Sequence, residues 1–269
     1  MPSWRRTGVQ AMAPAHLVGR FLAASRRSRA RFGHVRGTFF WLQVRQGSKR
    51  PAGREFAVRA PGFLHPIFLR AGTSDLGVLQ QIIVNGGSDF DLGTHPAFII
   101  DAVANIGLTC LAFARRYPSA KIVALEVDED NFNLLCRNVL QYPNITPLRA
   151  ALWSHVEFVR IRNPGAEAWA FQVERASASD PGAIPATTVG RLLESFAAPQ
   201  ISLLKLDIEG SEREVLSEGD QSWVERTETL AVELHDRFRP GCTKALNELL
   251  SNRPHRRVTH GEYEVVYLG

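Results

Sequence analysis

Acidic residues are absent from the first 50 positions of this 269-residue chain, and cysteine is scarce throughout it. Cys110, Cys136 and Cys242 form no C-x-x-C pair and are odd in number, which excludes a disulfide framework closed within the chain and argues against a structural zinc. Free thiols suit a reducing compartment, so the expected location is cytoplasmic. No apolar run reaches the ~18 residues that a bilayer requires, because Asp, Asn and Arg interrupt each one, so no membrane span is expected. Internal repeats and low-complexity tracts are also missing. What remains, with 45% hydrophobic and 22% charged residues, has the composition of a globular domain with a core of its own.

The formal charge of +5 is unevenly spread. Residues 1–50 carry eleven Arg or Lys, from Arg5 and Arg6 to Lys49 and Arg50, whereas the rest holds 21 basic against 27 acidic residues. Two parts follow: a basic N-terminal arm over 1–54 and a main domain over 55–269. Like charges extend a chain and attract polyanions. The arm therefore reads as a flexible tail, as a polyanion contact such as nucleic acid, or as a targeting segment with the composition of a mitochondrial transit peptide.

Within the main domain the hydrophobic period alternates between strand and helix. Glu55 to Leu69, broken by Pro61, Gly62 and Pro66, predicts a small hairpin, and Thr73-Ser-Asp75 predicts the start of a helix stopped by Gly86 and Gly87. Phe98 to Ile100, Lys121 to Leu125, Ile145 to Leu152, Ile201 to Ile208 and Thr229 to Leu234 read as strands. Helices are predicted from Ile106 to Ala114, 130 to 140 with Asp130 as N-cap, Val189 to Phe196, Ser211 to Leu216 and Lys244 to Leu250. A rim hairpin is expected from Val156 to Ile161 and Trp169 to Val173, and a terminal one around Gly261. The fold class is α/β, a Rossmann-like, mostly parallel, doubly wound sheet of about seven strands that binds ligands at the strands' carboxyl ends.

Three segments concentrate polar residues at those ends. Phe98-Ile-Ile-Asp-Ala-Val-Ala-Asn-Ile-Gly107 ends a strand with an acid and turns through small residues into a helix, the outline of a nucleotide-cofactor turn. It is not the dinucleotide G-x-G-x-x-G, and Asp101 would repel a pyrophosphate but orient a cationic amino-acid group. Glu126 ends the next strand, 19 residues past Gly107, where an acid accepts ribose hydroxyls. Asp128 either assists it or begins the next helix, and Ala151 with Leu152 would flank an adenine. Leu203-Leu-Lys-Leu-Asp-Ile-Glu-Gly210 puts a lysine and two acids into an apolar strand, where charges are expensive unless used or paired. Asp207 and Glu209 share a side if the strand reaches that far, and Lys205 with Asp207 could form a purely structural ion pair. His235 and Asp236, past the fifth strand, add an acid–base pair, with His235 a candidate base.

Together these segments resemble the FkbM-type methyltransferases, class I S-adenosylmethionine enzymes that mostly methylate hydroxyl oxygens. The matching stretches are Thr73-Ser-Asp75, Asp101 to Thr109, Leu125-Glu-Val-Asp128 with Asn131-Phe132, Ala150-Ala-Leu-Trp153, Lys205-Leu-Asp-Ile-Glu-Gly-Ser-Glu212 and Glu233-Leu-His-Asp236. The resemblance implies S-adenosyl-L-methionine as cofactor, with Asp101, Val103, Asn105 and Gly107 along its methionine end and Glu126 at its ribose. It implies Asp207 and Glu209 on the side of a hydroxylated small molecule such as a sugar or polyketide, and no metal-ligand cluster is visible in the sequence. Val103 stands where the family has glycine. A β-branched side chain there would resist positive φ at about 1–3 kcal/mol, and its methyl groups would face the ligand. The competing readings are a non-catalytic binding module whose pocket Val103 closes, and a nucleic-acid methyltransferase using the basic arm. Against the latter, no Asn/Asp-Pro-Pro-Tyr/Phe sequence follows the fourth strand. Rim loops at 56–75, 160–185 and 236–243 are expected to select the acceptor.

Overall fold

The computed structural model describes residues 14–93, 95–165 and 171–269. It opens with two helices, α1 (Pro14–Phe32) and α2 (His34–Gly47), so the basic stretch is helical over these spans. Phe40 is buried edge-on to Phe32 in the main core, and Gly47 lies so close to the Phe56 ring that a Cβ would not fit. The boundary expected after residue 54 therefore falls between elements that share one core. Composition registered the arginines and missed these apolar contacts.

The expected first hairpin is present as β1 (Glu55–Val58) paired antiparallel with β2 (Ile67–Arg70). In β1 every second side chain is buried, as a two-residue period requires. The helix expected at Thr73 runs as α3 (Asp75–Leu79) and ends in a π turn through Val84, where the Asn85 N–H donates to the Gln80 carbonyl at 2.9 Å.

A parallel sheet then builds from β3 (Phe98–Asp101), β4 (Lys121–Leu125), β5 (Ile145–Leu148), β10 (Leu203–Leu206) and β11 (Thr229–Val232). The terminal hairpin, β12 (His255–His260) and β13 (Tyr263–Leu268), joins it with β13 antiparallel to β11. The order is β12-β13-β11-β10-β3-β4-β5, and β3 and β10 are buried along their whole length. The chain leaves β3 toward one edge and later resumes beside it at β10, which makes the β3/β10 crevice the switch point where such sheets bind ligands. Helices α4 (Leu108–Arg116) and α5 (Glu129–Val139) pack into the core that includes the β1–β2 hairpin; α6 (Val189–Ser195), α7 (Glu212–Ser217) and α8 (Cys242–Leu250) cover the opposite face.

Three local expectations are corrected. The third strand stops at Leu148, and β6 (Ala151–Leu152) instead pairs with β9 (Ile184–Thr187) in a side sheet. That sheet also holds β7 (Phe158–Ile161), whose antiparallel partner β8 runs Val173–Ala176, later than the expected Trp169 to Val173; Trp169 lies outside the described residues. Finally, α5 is capped by Asp128 rather than Asp130, its carboxylate accepting the Asn131 N–H at 2.8 Å.

Candidate active site

The carboxyl ends of β3 and β10 open into a cavity of about 620 Å³, within the range of small-molecule sites. One wall is the loop after β3. Asn105 takes a left-handed conformation, φ +50, its side-chain oxygen accepting the Ile106 N–H at 2.7 Å. Gly107 follows at φ +89, where a Cβ would lie 2.7 Å from Leu135 Cδ1 on α5. The glycine thus serves both the turn and a close helix contact. Val103 is not among the residues with positive φ, so the expected backbone strain does not arise; its half-buried side chain lines the cavity.

Asp101 does not reach the cavity. It is fully buried, with Lys205 Nζ at 3.0 Å from Oδ1 and the Cys110 thiol beside Oδ2. Burial pushes its carboxyl up, and Lys205 opposes this. The lysine, disfavoured as a cation by burial, is nevertheless held protonated by Asp101, Tyr263 and Asp207. Lys205 therefore pairs chiefly with Asp101, and Asp207 lies at 3.8 Å, farther than a pure Lys205–Asp207 bridge would place it. Asp101, expected to face a ligand's amino group, is engaged here in this internal pair.

Glu126, just past β4, is 2% exposed. Its Oε1 accepts the backbone N–H of Val127 (3.0 Å) and Asp128 (2.9 Å), while Oε2 is buried without any partner. Burial raises this carboxyl to about 7, although the backbone N–H groups of Asp128, Asn105 and Val127 pull it back. The carboxylate lies against the Asn105 turn, and Glu126 itself does not line the cavity. Asp128 is spent as the α5 cap, and Ala151 is buried with Trp153 and Val159 under the side sheet; neither lines the cavity.

The opposite wall is acidic. Asp207 and Glu209 both line the cavity, yet not by strand alternation: β10 ends at Leu206, and Glu209 turns inward through a left-handed conformation, φ +52, followed by Gly210 at +103. Asp207 Oδ2 accepts the Tyr263 hydroxyl at 2.8 Å. Glu209 is raised to about 7 by burial, His235 opposing and Asp207, Glu233 and Glu212 reinforcing. His235, 1% exposed, has its Nδ1 at 2.8 Å from Glu212 Oε1. Burial disfavours its charge, but Glu212, Glu233 and Glu209 raise it to about 10. An imidazole so placed favours its protonated form, which argues against the general-base role expected for His235. Asp236 turns away, its carboxylate accepting the N–H groups of Gly241 and Thr243 at the start of α8.

Among the lining residues, Gln81, Glu262 and Tyr263 carried no functional signal in the sequence, whereas Thr73 and Ser74 lie in a stretch that did. Gln81, Glu262 and Tyr263 reach the cavity from the π turn and the terminal hairpin, and Thr73 and Ser74 from the start of α3. Arg70, whose N–H groups clasp Asp75 and whose guanidinium also donates to Asn131 at 2.6 Å, ties that helix start to α5. Of the loops expected to select the acceptor, 56–75 and 236–243 contribute Thr73, Ser74 and Arg237, and 160–185 contributes no described lining residue.

No curated protein matches the chain. Solved structures similar to it include precorrin-6y C5,15-methyltransferase from Geobacter metallireducens, at 13% identity and TM-score 0.34 over 65% of this chain and 80% of that one. Trm5b from Pyrococcus abyssi is similar at 10% identity and TM-score 0.41, over 80% and 54% of the two chains. An rRNA methylase from Streptococcus thermophilus is similar at 11% identity and TM-score 0.37, over 66% and 90%. Among the described residues no helix is long and apolar enough to cross a membrane. The doubly wound sheet with its crevice at β3 and β10 is accompanied by a match of residues 101–253, more than half of the chain, to the methyltransferase FkbM domain, and the chain belongs to that family.

Proposed function

We propose that this methyltransferase uses S-adenosylmethionine to methylate a hydroxyl oxygen of a sugar, polyketide or similar small molecule. The observation that carries the reading is the cavity itself: the small-residue turn at Val103 to Asn105 forms one wall, and the Asp207 and Glu209 carboxylates another. The residues present fit the cofactor. Glu126 Oε2 is a buried acceptor without a donor, and buried polar atoms are rarely left so; the two ribose hydroxyls are donors of the kind it lacks. Asn105 and the backbone of its turn would face the methionine portion.

S-adenosylmethionine, when bound, supplies a sulfonium methyl group open to in-line attack. The protein's part is to hold the acceptor oxygen in line and exclude water. As the methyl–oxygen bond forms and the methyl–sulfur bond breaks, the hydroxyl must lose its proton. Asp207 and Glu209 are the two cavity-facing carboxylates placed to bind that hydroxyl and to take the proton. Tyr263 fixes one oxygen of Asp207 and leaves the other free. A radiolabelled methyl group should pass from the cofactor to hydroxylated acceptors in a panel assay. Label on nitrogen or carbon acceptors alone would replace this reading.

A further inference from the structure

The buried imidazole of His235 faces only acceptors yet hydrogen-bonds to none of them through Nε2. That atom lies 3.3 Å from Glu233 Oε1, 3.6 Å from Glu209 Oε2 and 3.9 Å from Asp207 Oδ1. Glu209 Oε2 is likewise buried and unpartnered. Behind the ring the geometry is firm. Glu212 Oε1 lies 2.8 Å from Nδ1 and accepts the Ile208 N–H, and Oε2 accepts the Gly210 N–H. Nδ1 is turned to Glu212, so Nε2 is the ring nitrogen turned toward the other carboxylates. A carboxylate backing a histidine in this way is how metal-ligating imidazoles are oriented.

Asp207, Glu233 and His235 each present one donor atom, and the three lie within 4.8 Å of one another. Donors about 2.0–2.2 Å from a shared ion stand roughly 3.0–3.6 Å apart, so small side-chain movements would close the set. Asp207 has the required oxygen to spare, because Tyr263 occupies only Oδ2. Lys205, the nearest cation, is engaged with Asp101. Both Asp207 and Glu233 line the cavity, so an ion held here would keep coordination positions open toward a substrate.

We propose that Asp207, Glu233 and His235 bind a first-row divalent cation beside the acceptor position. An imidazole among carboxylates favours Mn²⁺ or Zn²⁺ over Mg²⁺, which takes oxygen ligands almost exclusively. The ion's use rests on the methyl-transfer reading: it binds the acceptor hydroxyl and selects acceptors with a second oxygen on the adjacent carbon, a vicinal diol or hydroxy-carbonyl, that chelate it. Asp207 then orients the acceptor through the ion, and Glu209 receives the proton released as the methyl group moves from sulfur to oxygen.

The test is Mn²⁺ titration of the chelator-treated full chain, followed by electron paramagnetic resonance and calorimetry, with S-adenosylmethionine affinity measured on the same samples. One ion should bind per chain. Glu233→Gln, at a half-buried position, and His235→Ala should each weaken binding by about tenfold or more, with circular dichroism establishing that they fold. Absence of binding in the wild-type chain, or equal affinity in folded Glu233→Gln, overturns the site. Cofactor binding without Mn²⁺ binding overturns this proposal alone; Mn²⁺ binding that the variants lose, without cofactor binding, supports the site and overturns the methyl-transfer reading.

Discussion

Glu126→Gln should weaken cofactor binding while stabilising the unliganded protein at alkaline pH. In the folded chain the carboxyl titrates at about 7, against 4.5 ordinarily. A difference of that size is worth roughly 3 kcal/mol. Because the folded-state value is the raised one, both states hold the proton below pH 4.5 and no penalty exists. Between 4.5 and 7 the unfolded chain ionises first, so stability declines as pH rises, and above 7 the full penalty applies. A glutamine oxygen can still accept the Val127 and Asp128 N–H groups, and it brings no charge. Urea denaturation should therefore show Glu126→Gln more stable than wild type at pH 8 by up to roughly 3 kcal/mol, and near parity at pH 4.5. Cofactor affinity should move the opposite way. Losing hydrogen bonds from ribose to a charged acceptor, worth about 1.5–3 kcal/mol, raises Kd by roughly 10- to 150-fold. Ribose donors favour the ionised acid, so wild-type affinity should rise with pH through about 7, with a proton released on binding at pH 6.5; calorimetry in two buffers of different ionisation enthalpy counts it. A variant that binds the cofactor like wild type, or a wild type that releases no proton, would refute the assignment of Oε2 to the ribose.

Other expectations address the remaining parts of the site and its support. Asp207→Asn should lower methyl transfer by about 10²–10⁴-fold while leaving cofactor affinity within a few-fold, as single-turnover kinetics and calorimetry would show; near-normal turnover removes Asp207 from the reaction. Lys205→Met leaves Asp101 buried without its cation, and denaturation at pH 7 should register a loss of about 3–5 kcal/mol. Phe40→Ala should cost about 3–5 kcal/mol if the basic N-terminal segment is part of the folded unit, and a change below 1 kcal/mol by the same measurement would return that segment to the status of an appendage.

The alternation of strand and helix, the seven-strand sheet and the family could be read from residues because each rests on local signals. Runs such as Leu203 to Leu206 reveal a strand buried on both faces, and the acids after Leu125 and Leu206 stand at strand ends where a doubly wound sheet gathers its ligands. Pairing across the molecule left no such mark. Nothing near Asp101 in sequence shows that Lys205, 104 positions on, would neutralise it, or that Tyr263 from the last strand would fix Asp207. Periodicity correctly suggested that Asp207 and Glu209 share a side, but the reason is a left-handed turn at Glu209, which strand geometry does not foresee. The charge state of His235 was equally out of reach, being set by Glu233 two residues before it and by Asp207, Glu209 and Glu212 from the stretch that follows β10, which meet it in a buried space. Sequence determined which residues arrive at the carboxyl edge of the sheet, because hydrophobic period and chain direction are local properties. Only the tertiary structure decided which of those charges cancel and which remain for chemistry, because desolvation and ion pairing depend on neighbours that the fold, not the chain order, supplies.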